Sequence, residues 1–410
     1  MIYGVNMKKI NKDFKPYVEK QSNGLWHYID NTVIGLYTDE EIKEINKKDL
    51  KHQESFHSKI EADGYIRFPV FALNNYDELV EKHTYIHPNF EPSCSEGFLE
   101  KHGIKYNIYI PSYKRAKDSR TVKMLQEHGI ENYYLCVDPD QYEEYLKYHE
   151  PKHIIIRDWT FRNNDMIELG SSVKVPHNMH SHSPLTNGVF NFSKSIGEER
   201  AWFMDDDIIG MAMKAHKGTE MWDGESGDYN KDDFYRCSHI KPEYGFSLKE
   251  LLRMMENIQE KTRNAWMTGF EKFGPIFHLP ISFKFNTKIY TMYLSNNLLD
   301  RNDTKHIARQ NNDVATSVKA LKQGYVNQEF KGIYYNSEPT QAGGGQTEMF
   351  RKLGTYDKAK NLIQVAPNCA KITYRYSRPH HTCDYTIYSS GNAKSNRGQR
   401  MVGAIKKNEE

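Results

Sequence analysis

Three consecutive aspartates, Asp205, Asp206 and Asp207, follow directly after an apolar segment at 201–204. If that segment is a β-strand, its side chains alternate, so Asp205 and Asp207 project together while Asp206 points away from them. Two carboxylates on one face suit Mg²⁺ or Mn²⁺, which bind few protein oxygens and complete their coordination with phosphate oxygens. The triplet therefore indicates a metal and phosphate site. A polar turn in which one aspartate caps a helix is the alternative.

The segments around this triplet alternate between strand-like and helix-like patterns. Short apolar runs predict strands at 104–110, 133–137, 153–156 and 201–204. Helices are predicted between them at 119–128, 140–149 and 189–197. This spacing is typical of βαβ units in a mostly parallel sheet flanked by helices. Ligands bind beyond the carboxyl ends of the strands in such sheets, and residues 111–115, Asp138 and the aspartate triplet all fall at such ends.

The rest of the chain divides around this α/β region. Thr38 predicts the start of a short helix at 38–50, and further helices are predicted at 248–263 and 313–323, with strand-like runs between them in 276–294. We expect an N-terminal appendage at 1–100, the α/β domain at 101–350 and a basic, aromatic C-terminal segment at 351–410.

Charge is distributed unevenly along the 410 residues. The formal net charge is only +2, but residues 351–410 hold 12 Lys and Arg against 4 Asp and Glu, which leaves −6 on the first 350 residues. A basic end favours a polyanionic partner, and a solvated surface tail is the alternative. The five cysteines are scattered without a C-x-x-C pair, so we expect neither a disulfide framework nor a cysteine zinc site. No apolar run approaches the ~18–20 residues of a membrane span. We therefore expect a cytoplasmic protein with no membrane partner.

An apolar strand that ends in Asp-x-Asp after two or three βα units resembles the nucleotide-sugar site of GT-A-fold glycosyltransferases. In finer detail, four motifs are similar to those of the TET-associated glycosyltransferase family: IPSYKR, VDPD, FMDDDI and the Asn-Asn-Asp before the 313–323 helix. Proteins of that family are largely encoded by bacteriophages and are linked to the modification of hydroxymethylated pyrimidines in DNA. The resemblance covers about 104–348. It implies a GT-A-like (Rossmann-like) α/β fold with N-terminal and C-terminal additions, acting in the host cytoplasm if phage-encoded.

The resemblance also implies a donor site. Tyr113 would stack on the nucleobase, Arg115 would face ribose or phosphate, and Asp138 would accept a hydrogen bond from the base or ribose. The donor residues that it implies are Pro111, Ser112, Tyr113, Arg115, Asp138, Asn191, Lys194, Asp205 and Asp206.

Metal and catalytic roles follow from the same resemblance. Asp205 and Asp207 would ligate Mn²⁺ or Mg²⁺, together with a late histidine that is either His380 or His381. Asp313 would be the base that activates the acceptor. The alternative is that Asn312 or Asp313 only caps the helix that follows.

The expected function is a metal-dependent glycosyltransferase that moves a sugar from a UDP-sugar to the hydroxyl of 5-hydroxymethylated pyrimidines in phage DNA. The DNA-binding residues expected in the basic segment are Arg375, Arg378, Lys394, Arg397 and Arg400. Three alternatives remain open: a glycan, lipid or protein acceptor, a DNA-binding protein with a degenerate transferase core, and a two-metal nuclease. The sequence does not identify the sugar.

Overall fold

The computed structural model describes most of the chain. The described residues are 18–20, 26–28, 38–73, 79–157, 182–216, 235–239, 247–262, 264–272, 283–299, 311–338, 358–359, 362–363, 366–375 and 378–388. Three of the predicted DNA-binding residues, Lys394, Arg397 and Arg400, lie outside these ranges.

One twelve-stranded sheet dominates the described residues. Its strands are β3 (Ile66–Leu73), β4 (Leu79–Ile86), β5 (Ile108–Pro111), β6 (Tyr133–Val137), β7 (Ile154–Arg157), β8 (Arg200–Met204), β9 (Ile208–His216), β10 (Tyr235–His239), β11 (Ala265–Lys272), β12 (Phe283–Phe285), β13 (Met292–Asn296) and β14 (Val326–Ser337). Two small hairpins complete the strands: β1 (Val18–Lys20) with β2 (Trp26–Tyr28), and β15 (Ala370–Arg375) with β16 (Arg378–Cys383).

The strand order is β10-β9-β14-β11-β13-β8-β5-β6-β7-β4-β3, with β12 paired to β14. Strands β8, β5, β6 and β7 are parallel neighbours, and β11 is parallel to β14, while the other pairs are antiparallel. Because parallel strands end at the same edge, the segments after β5, β6 and β8 converge there. The four strands predicted from the apolar runs are this parallel group, so the sequence found the part of the sheet that forms the site.

Helices cover both faces of the sheet. They are α1 (Asp39–Ala62), α2 (Phe98–His102), α3 (Arg120–Glu127), α4 (Tyr142–Leu146), α5 (His182–Ser195), α6 (Leu248–Lys261) and α7 (Asn312–Lys322). On one face, α3, α4 and α6 pack against alternate strand residues such as Ile108 and Trp202. On the other face, α5 packs against Tyr109 and Phe203. Burial on both faces explains why these strands are continuous apolar runs. This α/β architecture confirms the predicted fold class, and the antiparallel strands that extend the parallel group make the whole sheet mixed.

The first long helix begins where the sequence predicted. Thr38 accepts a hydrogen bond from the Glu41 amide at 3.1 Å, and the Glu41 carboxylate accepts one from the Thr38 amide at 2.9 Å. This reciprocal pair is a capping box, which satisfies two amides that the helix cannot bond internally. Helix α1 continues to Ala62, well beyond the predicted end at 50.

Strands β3 and β4 come from the range predicted as an N-terminal appendage. They pair with each other, and β4 also pairs with β7, so they extend the central sheet at that edge. The predicted domain boundaries remain a prediction.

Close packing within the sheet leads to a stability prediction at Gly269. A Cβ atom there would lie 2.6 Å from the Met292 carbonyl oxygen and 2.7 Å from the Ile289 Cγ2. Gly269→Ala should therefore lower the free energy of unfolding by about 1–3 kcal/mol. The matched control is Gly210→Ala in β9, where a Cβ would have no neighbour within 4 Å. Urea unfolding followed by circular dichroism measures both, and equal midpoints for the two variants would contradict this account of the packing.

Candidate active site

The aspartate triplet forms the turn between β8 and β9, and neighbouring elements fix its backbone. The Thr121 hydroxyl, in α3, donates to the Asp205 carbonyl and accepts from the Ile208 amide at 3.0 Å. The Asp205 amide donates to the Thr291 carbonyl at 2.9 Å, just before β13. The turn is therefore held on both sides, which limits where its carboxylates can point.

Asp206 is buried and fully engaged by the loop after β5. Its carboxylate accepts hydrogen bonds from the Ser112 hydroxyl and the Arg115 guanidinium, each at 2.6 Å. The Tyr145 hydroxyl lies 2.6 Å from the Ser112 hydroxyl and accepts from the Arg115 amide at 3.2 Å. Burial raises the pKa of Asp206, and Arg115 and Ser112 act in the opposite direction. The Asp206 carboxylate thus binds both Ser112 and Arg115. Tyr145, which was not predicted from the sequence, completes their network.

Asp205 and Asp207, the other two acids of the turn, are only partly buried. Burial raises the pKa of Asp205 well above its usual value, and the negative charges of Asp207, Asp206 and Asp313 add to the effect. Lys272, at the end of β11, acts in the opposite direction. The Arg115 guanidinium approaches Asp207 at 3.4 Å. The turn therefore concentrates negative charge that a cation would relieve.

These carboxylates fit a divalent metal of the kind that the family resemblance implies. Mg²⁺ is usually held by one or two carboxylates together with substrate phosphates. Repulsion among Asp205, Asp207 and Asp313 is the feature that a bound cation would remove. Among the described residues, no group of three or more His, Cys, Asp or Glu is arranged to hold a metal. Asp205 and Asp207 are thus the carboxylates that would hold such a cation.

Asp313 lies in the first turn of α7. The N-cap is Asn311, in the left-handed region with φ 58°, and its side chain makes no capping hydrogen bond. The Asp313 carboxylate accepts from the amide of the next residue, Val314, at 2.8 Å. The fold brings this acid within electrostatic range of Asp205, although 107 residues separate the two in sequence.

The two late histidines lie on the C-terminal hairpin. The Asn311 amide group lies 3.1 Å from the His381 Nδ1, while the His380 Nδ1 lies 2.9 Å from the His381 carbonyl oxygen. Burial, with nearby Lys358, lowers the pKa of His381 to about 3, so its ring is neutral at physiological pH. The structure brings His381 to the start of α7 but does not group either histidine with Asp205 and Asp207 as a metal site within the described residues.

Asp138 lies buried at the end of β6. Its carboxylate forms an ion pair with Arg157, the last residue of β7, which is equally buried. Arg157 is not among the residues predicted from the sequence, although an arginine that ends an apolar strand is a signal for a polar partner at the same edge. Pro111 ends β5, and Tyr113 is partly buried in the next loop, with the Lys114 ammonium 5.1 Å from the centre of its ring.

Two predicted donor residues lie elsewhere. Asn191 and Lys194 are in the last turns of α5, just before β8 begins at Arg200. The Ser193 hydroxyl, also in α5, accepts a hydrogen bond from the Asn297 side chain. Asn297 follows Asn296, which pairs with Arg200 at the start of β8. These contacts lie at the amino end of β8, whereas the aspartate triplet follows its carboxyl end. The fold therefore does not bring Asn191 and Lys194 together with the acids.

Arg375 and Arg378 face each other in the register of the β15–β16 hairpin. Their backbones are described, but their side chains are not. Among the described helices, none is both long and apolar enough to cross a membrane.

The charge around Asp205 leads to a prediction on stability. A carboxyl group whose pKa is raised on folding costs the folded state stability once the pH exceeds its unfolded value of about 4. With EDTA present, Asp205→Asn should therefore raise the urea midpoint at pH 7, and the gain should disappear as the pH falls toward 4. The control is Asp118→Asn, at an exposed carboxylate whose pKa Lys123 lowers, where no gain is expected. A lower midpoint for Asp205→Asn at pH 7 would contradict the electrostatic description.

A known protein family matches the part of the chain that carries this site. The family described as TET-Associated Glycosyltransferase matches residues 106–345, which is more than half of the chain. No curated protein matches the chain. Enzymes of this kind take a nucleotide sugar as donor. Because the match includes β5, β6, β7 and β8 together with the acid triplet and Asp313, the chain belongs to the TET-associated glycosyltransferase family and is a glycosyltransferase.

Proposed function

We propose that this enzyme transfers a sugar from a UDP-sugar to the hydroxyl of 5-hydroxymethylated pyrimidines in phage DNA. The observation that carries the proposal is that Asp205, beside Asp207 at the carboxyl end of β8, lies within electrostatic range of Asp313 at the start of α7. A glycosyl transfer needs a site for the donor's diphosphate and an acid–base group for the acceptor, and these carboxylates supply both. The family's association with hydroxymethylated DNA and the basic C-terminal segment support a DNA acceptor.

The donor would lie over the loops after β5 and β6. Tyr113 would stack on the base, and Arg115, already paired with Asp206, would keep a positive charge near the ribose or diphosphate. Asp205 and Asp207 would hold Mn²⁺ or Mg²⁺, which when bound neutralises charge that grows on the departing diphosphate.

Asp313 would accept the proton of the hydroxymethyl group as its oxygen attacks the anomeric carbon. The new glycosidic bond forms as the bond to the diphosphate breaks, and the diphosphate leaves with the electron pair. Direct attack of this kind inverts the anomeric configuration. A base within a duplex would first have to leave the stack to reach Asp313.

The proposed function is tested by incubating the protein with hydroxymethylated DNA, Mn²⁺ and a panel of UDP-sugars. Mass spectrometry of the digested nucleosides should show a hydroxymethylated nucleoside carrying one sugar, with no product on unmodified DNA. EDTA should abolish transfer, and Asp207→Asn should do so without loss of DNA affinity. Transfer only to glycan, lipid or protein acceptors would reject the DNA acceptor. Cleavage of DNA without any donor would indicate a nuclease instead.

Asp313→Asn provides a separate prediction about the base. The substitution keeps the side chain's shape but removes its ability to take a proton, so kcat should fall by about 10²–10⁴-fold. Affinity for UDP-sugar and DNA should remain, and the melting temperature should stay close to that of the wild type. Nuclear magnetic resonance of the wild-type product should show an inverted anomeric carbon. If Asp313→Asn turned over as fast as the wild type, Asp313 would not be the catalytic base.

A further inference from the structure

Lys288 is fixed beside the start of α7 by the backbone of its own segment. The Asn286 amide donates to the Asn327 carbonyl at 2.8 Å, and the Ile289 amide donates to the Ser317 hydroxyl at 3.1 Å. Ser317 follows Asp313 by four residues in α7, so both side chains lie on the same helix face. The segment that carries Lys288 is therefore anchored against the helix face that presents Asp313.

The Lys288 ammonium makes no ion pair with any carboxylate that the structure describes. It hydrogen-bonds to the Tyr290 hydroxyl and lies 4.3 Å from the centre of the Tyr290 ring. Burial lowers its pKa, and Asp313 acts in the opposite direction without pairing with it directly. A partly buried ammonium group in this setting is stabilised by an anion.

Lys284 is in a similar position four residues earlier, in β12. It is directly opposite Glu329 in the β12–β14 pairing, but the Glu329 carboxylate is 2.6 Å from Lys331. Lys331 also contacts Glu271, at 2.8 Å. Lys284 thus makes no ion pair with a described residue. Burial lowers its pKa, Lys331 and Lys288 add to this effect, and Glu329 and Glu271 act in the opposite direction. Neither lysine is thus ion-paired with a described carboxylate, and the two are near enough to act on each other electrostatically.

The position of these lysines in the sheet indicates which substrate supplies that anion. The proposed donor residues follow β5 and β6, on one side of β8. Lys284 is in β12, which pairs with β14 on the other side of β8. Helix α7 packs on this second side, where the Asn327 side chain donates to the Ser317 carbonyl at 3.3 Å. The lysines therefore share the side of Asp313, at which the acceptor would enter.

We infer that Lys284 and Lys288 bind a backbone phosphate of the acceptor DNA next to the nucleotide whose hydroxymethyl group faces Asp313. This inference rests on the proposed function, because it requires a nucleic-acid acceptor. It adds a phosphate contact within the catalytic domain to those expected from the basic C-terminal segment. Such a contact would set the position of the target nucleotide relative to the base.

The test uses the full chain with Lys284→Gln, Lys288→Gln and the double variant, each compared with the corresponding arginine variant. Lys101→Gln is the matched control, because this substitution removes the same charge at an exposed position in α2. Affinity for a hydroxymethylated duplex is measured across a range of salt concentrations without donor, and affinity for UDP is measured in parallel. The double glutamine variant should reduce the slope of log K against log salt by about 1, because one phosphate contact is lost, and each single variant should reduce it by less. The arginine variants and Lys101→Gln should keep the wild-type slope, and UDP affinity should not change.

Two results would overturn the inference. An unchanged salt slope in the double variant would show that no phosphate contact was lost. A loss of UDP affinity with unchanged DNA affinity would assign the lysines to the donor's diphosphate. Wild-type transfer to the same duplex, assayed alongside, distinguishes the two proposals. If the wild type modifies DNA while the variants keep the wild-type salt slope, only the phosphate site is wrong. If the wild type neither binds nor modifies DNA, the proposed function itself is wrong.

Discussion

The pairing of Asp206 with Ser112 and Arg115 determines how the active-site turn is arranged. Its carboxylate is buried and would be costly to keep charged there without partners, because burial disfavours an unpaired ion. The loop after β5 supplies those partners at 2.6 Å, and Tyr145 adds a further hydroxyl. The same Arg115 guanidinium also approaches Asp207, at 3.4 Å, whereas no hydrogen bond of the Asp205 carboxylate to this loop is described. One buried ion pair thus joins two strand ends, while the carboxylates of Asp205 and Asp207 stay partly exposed beside it.

Both acidic and basic side chains surround that turn. Asp207 and Asp313 repel Asp205, while Lys272 is close enough to Asp205, and Lys288 to Asp313, to attract these acids. Such an arrangement is less stable than a neutral one in the absence of ligands. It suits a site that must accept a cation and the phosphates of its substrates.

Part of the site was predictable because its signals are local. A run of four apolar residues before three acids marks both a strand and its end, so the sequence located Asp205–Asp207 correctly at the edge of the sheet. Strand β14 was missed for an equally physical reason. Its buried polar residues Asn327 and Gln328 interrupt any apolar pattern, and they are tolerated only because Thr287, Thr268 and Thr262 provide hydrogen-bond partners.

The sequence by itself determined the α/β class, the parallel strands and the acids that follow them, because apolar runs and turn residues act over a few positions. Only the tertiary structure decided which distant groups meet. It paired Asp138 with Arg157, placed Lys288 beside the helix of Asp313, and put Lys194 at the opposite end of β8 from the acids. These outcomes depend on strand order and register, which arise from long-range packing that no local pattern contains.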